Sequence, residues 1–277
     1  MPRWIKSVLG RIAYRTGLYR LFFRNKALIV LFHRVDDSLG DDPISCTSAT
    51  FRAYCDFFRE YFHVVSLAEL LRRLEKGETI RRRVVITFDD GYKDNFQIAA
   101  AELERRGLTA CFFIATGFIG TERVPAWDAG KSIRSAWMDW DDVRSLDRRG
   151  FELGAHTMDH VDLGKVEGPE AATEIAGSKE RLERELGRPV VFFSYPFGAR
   201  RNFTEENRAE VRRAGFSCCL SAFGGSVAPG TSPFRLARMP VSPWYRSPYQ
   251  FGFEAMREPA GPPGQRVRPE MAGEPIA

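Results

Sequence analysis

Three short stretches hold most of the side chains that could do chemistry: Asp89-Asp90-Gly91, His156-Thr-Met-Asp-His160 and Ser194-Tyr-Pro-Phe-Gly198. Asp-Gly is first of all a turn dipeptide, so the aspartates alone signify little. Three residues between His156 and His160 let two imidazoles converge on one cation, and that spacing also arises by chance. Together the stretches say more. Two neutral imidazoles and one carboxylate suit zinc or a similar divalent ion and leave positions for water and substrate. A second carboxylate beside such a site can serve as a base.

These residues need elements to position them, and the sequence supplies them. Arg83–Phe88 is a Val/Ile/Thr/Phe run that reads as a buried strand delivering Asp89 and Asp90. Successive strand side chains point to opposite faces, so the two carboxylates can take different jobs. Strands are likewise expected at 27–32, ending in His33, at 109–115, at 151–155 ahead of His156, at 190–195, at 216–220 and at 234–241. Helices are expected at 51–61, 67–76, 95–106, 140–149, 169–186 and 205–214, with Ser48 or Thr50, Ser66 and Asp139 as N-caps. This alternation predicts a parallel α/β architecture, in which strand C-termini share one rim. Residues 116–138 form a long excursion with two tryptophans, a length that functional loops often have.

The 277 residues suffice for one barrel-sized domain, spanning 27–256 between an N-terminal segment, 1–26, and a tail, 257–277, whose Pro, Gly and charge predict disorder. Hydrophobic (44%) and charged (28%) fractions are those of an ordinary globular chain. The net charge of +5 is local: residues 1–35 carry eight Lys/Arg and no acid, leaving 33 basic against 36 acidic side chains. No nucleic-acid partner is expected. Five cysteines, an odd number without Cys-x-x-Cys, form no disulfide framework and fit a reducing compartment.

Residues 3–24 read as one basic amphipathic helix, with Trp4, Ile5, Val8, Ile12, Tyr19, Phe22 and Phe23 on one side. It either lies on anionic lipid or packs outside the domain with its charges in water. Arginines interrupt any signal-like apolar stretch, so the chain is expected in the cytoplasm, peripheral to the inner membrane face if the helix binds lipid.

Thr87-Phe-Asp-Asp-Gly91, His156-Thr-x-x-His160 and Ser194-Tyr-Pro-Phe-Gly198, in that order, resemble the polysaccharide deacetylase (NodB-homology) family, carbohydrate esterase family four. The likeness runs from Leu31-Phe-His-Arg-Val35 to Arg235-Leu-Ala-Arg-Met-Pro240. It implies an α/β fold, a distorted (β/α) barrel with fewer than eight full repeats, acting on acetylated sugars. By position it implies a metal site of Asp90, His156 and His160, with zinc the favoured ion, Asp89 as general base and the Phe197 backbone N–H as an oxyanion donor. In that reading the Phe197 side chain is incidental to the donor role, and Tyr195 is expected to line the sugar site.

Two departures stand out. Many members carry an arginine in the third motif that supports the base, where this chain has Ser194. Many carry a histidine in the last strand as general acid, where Leu236-Ala-Arg238 places an arginine that stays protonated. Arg238 can orient Asp89 or bind an anionic group, and it is placed among the substrate-binding residues. His33 is the candidate proton donor, with a structural hydrogen-bonding role as its alternative; His63 reads as structural. The expected activity is removal of N-acetyl groups from amino sugars in a polysaccharide or lipid-linked glycan. Its alternatives are a sugar O-acetyl esterase or deformylase, and a non-catalytic glycan-binding module.

Overall fold

The computed structural model describes residues 1–39, 42–130 and 136–258. Helices Arg3–Arg15 (α1) and Tyr19–Phe22 (α2) precede the first strand, Leu28–Phe32 (β1). Arg34–Val35 (β2) and Ser45–Cys46 (β3) form a separate pair, followed by Ser48–Tyr61 (α3), His63–Val64 (β4), Leu67–Glu75 (α4) and Arg83–Phe88 (β5). Then come Ala100–Arg105 (α5), Cys111–Ile114 (β6), Trp140–Arg148 (α6), Glu152–Ala155 (β7) and Gly168–Leu186 (α7). Phe192–Ser194 (β8), Glu205–Arg213 (α8), Cys218–Gly224 (β9), Leu236–Pro240 (β10) and Pro248–Arg257 (α9) complete the order.

Seven strands, in the order β1-β10-β9-β8-β7-β6-β5, form a ring that closes through β1 and β5, with every pairing parallel. The distortion lies beside β5. Its first residues, Arg83 and Val84, pair with β4, while Thr87 and Phe88 pair with β6. β4 is thus a wedge at the base and not an eighth stave. This is the distorted (β/α) barrel expected from the motifs.

Strand alternation sorts side chains between two cores. Val84, Ile86 and Phe88 face the helices with Val30, Phe32, Phe112 and Phe193. Ile29, Val85, Cys111, Phe113, Leu220 and Leu236 point inward, and Leu67, Leu70 and Ile80 join them. Gly154 makes room for this packing: a Cβ there would lie 2.5 Å from the Phe113 ring. The inside of the barrel is therefore apolar over its lower part. Thr87, Asp89, His156, Ser194 and Arg238, all nearly inaccessible, collect toward the strand ends.

Several elements differ from the sequence expectation. The N-terminal segment is not one helix: α1 ends at Arg15, and the chain turns through Gly17 at φ 79° before α2. α3 starts earlier than expected because Thr47, whose side chain accepts from Thr50 N, is its cap. The 95–106 helix opens with a π-helical turn at Asn95–Ala99, where the Asn95 amide donates to the His33 carbonyl at 2.6 Å. α9 was not anticipated. Most of the tail, 259–277, and loop residues 131–135 lie outside the described residues.

Candidate active site

Asp90, His156 and His160 come together at the C-terminal rim, their candidate ligand atoms within 4.8 Å of one another and all three side chains buried. The imidazole Nε2 atoms of His156 and His160 each lie 3.3 Å from Asp90 Oδ1. His156 Nδ1 is 2.8 Å from the Ser194 carbonyl, which fixes that nitrogen as the donor and turns Nε2 toward Asp90. Asp90 Oδ1 is buried and receives no hydrogen bond. An orphaned carboxylate oxygen flanked by two imidazoles matches the donor set of a divalent cation, so the residues present fit a metal.

The backbone is bent to build this cluster. Asp90 (φ 79°), Thr157 (φ 61°), His160 (φ 54°) and Phe197 (φ 59°) are four of the five described non-glycine residues with positive φ. Such conformations cost roughly 1–3 kcal/mol each and persist where the surroundings hold them. The turn between the histidines is held by Glu174 on α7, whose Oε2 accepts from the backbone N–H groups of Met158 and Asp159 at 2.8 and 2.9 Å.

Asp89 points into the barrel, as alternation from Thr87 requires, and lies outside the triad. Arg238 grips it bidentately, with Nη1 to Oδ1 at 2.7 Å and Nη2 to Oδ2 at 2.6 Å. The remaining donors of the guanidinium reach Thr87 Oγ1, Ser194 Oγ and the Ser221 carbonyl, and the residue is wholly buried. Arg238 is therefore not a substrate-binding residue, because it has no N–H left to offer. It orients the Asp89 carboxylate. Burial pushes the Asp89 carboxyl up, but Arg238 and His156 outweigh it and hold it below the usual value. Burial likewise opposes ionisation of Asp90, yet His156 and His160 hold it well below the usual range. Burial lowers the His156 pKa, but Asp89 and Asp90 leave it net raised; for His160 burial prevails and the net shift is downward.

Tyr195 is a second correction. Its ring is 1% exposed, stacks on Phe203 at 4.2 Å and meets Phe193 edge-on at 5.2 Å. With Ser194 inside the barrel, the next residue must face the helix layer, so Tyr195 does not line the sugar site. The Phe197 backbone forms a tight turn in which Gly198 N–H donates to the Pro196 carbonyl at 2.6 Å. The half-exposed Phe197 ring stands edge-on to His160 at 4.8 Å, a contact separate from any role of its backbone N–H.

His33 lies at the end of β1, half-buried, within the field of Asp89, Asp90, His156 and Arg238. Burial lowers its pKa against the pull of the two aspartates. His63 is remote, at the base of the barrel beside Arg82. Sequence reasoning missed Trp127, whose ring packs 4.4 Å from His160 and 6.3 Å from Phe197. A buried network places it: Trp127 Nε1 and Arg34 Nη2 both donate to the Tyr92 hydroxyl at 2.9 Å, and Arg34 also pairs with Asp128. Trp127 and Phe197 thus form an aromatic wall over one metal-ligand candidate.

Asp94 lies behind the rim, accepting from Val35 N at 3.0 Å, and burial pushes its pKa up to about 6. The folded chain therefore holds a proton between the ordinary aspartate range and about 6 that the unfolded chain has released, and stability falls as pH rises through that window. Asp94→Asn keeps the acceptor oxygen and removes this titration. Relative to the parent it is expected to gain roughly 2–3 kcal/mol between pH 4 and pH 8 in urea unfolding; a difference independent of pH would contradict the assignment.

A candidate metal-ligand triad with a further buried carboxylate beside it, on the rim of a parallel barrel, has the make-up of a hydrolase site. The family model for polysaccharide deacetylases matches residues 76–219. The chain belongs to that family. It is 27% identical to the Bacillus subtilis protein YxkH, a polysaccharide deacetylase by name, over 58% of this chain and 52% of that one. It is 22% identical to the poly-beta-1,6-N-acetyl-D-glucosamine N-deacetylase of Staphylococcus aureus strain MRSA252, over 64% of this chain and 61% of the relative. The matches thus span only about half to three-fifths of these relatives. Its fold is that of IcaB from Ammonifex degensii (TM-score 0.71, 22% identity, 84% of this chain and 97% of that chain). The Streptococcus pyogenes deacetylase PplD is similarly alike (TM-score 0.70, 20% identity, 84% and 99%).

Proposed function

We propose that the protein is a metal-dependent N-deacetylase of amino sugars in a polysaccharide or lipid-linked glycan. The carrying observation is Asp89: a buried carboxylate held outside the triad by a bidentate arginine, an arrangement a binding module does not need. The names of the family and of the staphylococcal relative supply the substrate class.

Asp90, His156 and His160 would hold one divalent ion, zinc by the chemistry of the donors, and when bound it would supply Lewis-acid polarisation of the amide carbonyl. Asp89, fixed by Arg238, accepts the proton of the attacking water. The Phe197 N–H, presented by its tight turn, donates to the oxygen that gains charge. Trp127 and Phe197 give the sugar an apolar face to stack on. His33, at the end of β1 within the field of Asp89 and Asp90, gives the departing amine its proton.

The test compares leaving groups. Parent protein loaded with divalent metal is expected to release acetate from N-acetylglucosamine oligosaccharides. His33→Gln is expected to lose about 10²-fold or more on this amide. The same variant should keep most of its activity on an aryl acetate, whose phenolate departs without a proton. Equal losses on both substrates would remove His33 from the proton path. No turnover of any acylated sugar by metal-loaded parent would overturn the hydrolase reading.

A further inference from the structure

α1 carries its apolar stripe on the wrong side for a helix that only packs against a domain. Gly10, Ala13 and Tyr14 are its buried residues, and Gly10 meets α9 so closely that a Cβ would lie 2.1 Å from the Tyr249 carbonyl oxygen. At 100° per residue, Trp4, Val8, Leu9 and Ile12 centre about 180° away from that contact. These four are 40–60% exposed, and Leu21 and Phe22 on α2 continue the surface at 65% and 45%. Outside residues 1–22, only Val124 and Phe197 among the described large hydrophobic residues are comparably exposed. A surface helix normally turns this stripe inward. Here a small-residue face, with the stacked Tyr14–Tyr19 pair, does the docking and the apolar face is left outside.

The charges around the stripe say what covers it. Arg3, Arg11, Arg15, Arg20 and Arg24 are exposed on the same segment, and no acidic residue precedes Asp36. Two copies meeting through this face would bring like charges together. An anionic surface with an apolar interior satisfies both parts of the pattern. Arg3 and Lys6 lie over Trp244, in the segment that leaves β10, the strand of Arg238. The start of α1 therefore sits toward the rim that carries the site.

We propose that α1 and α2 form an interfacial docking surface for a membrane bearing anionic headgroups, with Trp4, Val8 and Ile12 entering the acyl boundary and the arginines on the phosphates. The surface does not depend on what reaction the barrel performs. Its test is co-sedimentation of the full chain with phosphatidylcholine vesicles, with and without phosphatidylglycerol. Binding is expected with phosphatidylglycerol at low salt, and weaker binding in high salt or on phosphatidylcholine alone. A Val8→Glu/Ile12→Glu variant is expected to bind about ten-fold more weakly or less while keeping the parent unfolding midpoint, since both side chains are exposed. Absence of parent binding, or equal binding by the variant, overturns the proposal. So does a parent dimer in light scattering that the variant loses without any vesicle binding, which would assign the face to a second copy.

Discussion

Asp89→Asn is expected to fold, to bind a divalent ion as tightly as the parent, and to lose roughly 10²–10⁴ in kcat. The three outcomes follow from where the carboxylate sits. It lies outside the cluster of Asp90, His156 and His160, so metal content should not change. It is the carboxylate that Arg238 and Ser194 hold in place, so the amide that replaces it keeps an acceptor for part of that network but cannot take a proton from water. Some stability is lost, because Arg238 then faces a neutral partner in a buried site. Metal analysis and acetate release on one preparation separate the possibilities. A variant that loses its metal makes Asp89 a ligand, and a fully active one places the base elsewhere.

Arg238→Met carries the second large effect, and it is read in stability first. The substitution leaves Asp89 buried without its counter-charge and removes the donors to Thr87, Ser194 and the Ser221 carbonyl. Removing one partner of such a pair costs about 3–5 kcal/mol. Arg238→Lys should recover little, since a point charge cannot span acceptors on β5, β8 and β9 at once. The combined Asp89→Asn/Arg238→Met protein is expected to be no less stable than Arg238→Met alone, because no uncompensated charge remains. Urea unfolding of the four proteins gives the coupling directly. Simple additivity of the two single losses would show that the fork is not the interaction that matters.

The same pair shows how far the sequence could be read. The convergence of Asp90, His156 and His160 was legible because the motifs carry residue type, spacing and strand-end position together. The barrel was legible because buried strands alternate with capped helices. Ser194 and Arg238 each looked like a departure from the family pattern. In space they answer one another: with serine in the third motif, Arg238 reaches Asp89 from β10 and bonds Ser194 as well. No periodicity in one strand reveals which residue of another strand fills the space beside it.

Tyr195 failed for a smaller reason. The expected strand ran through residue 195, but no face was assigned, and one step of alternation separates a site residue from a helix-facing one. Trp127 was out of reach because its place depends on Arg34, Tyr92 and Asp128, far apart in sequence. α9 did leave a signal, since Ser247 caps it from just before Pro248, at its first turn. The N-terminal segment left half of one. Its amphipathic pattern was visible, but which face the domain would cover was decided by the fit of Gly10 against α9.

Amide hydrolysis at this rim with Asp89 as the base has one direct measurement. Acetate and free amine should be measured together as metal-loaded protein acts on N-acetylglucosamine oligosaccharides, for the parent and for Asp89→Asn at matched metal content. Equal amounts of acetate and amine are expected from the parent and nearly none from the variant. Acetate without amine from an O-acetylated sugar only, or equal release by both proteins, would contradict it.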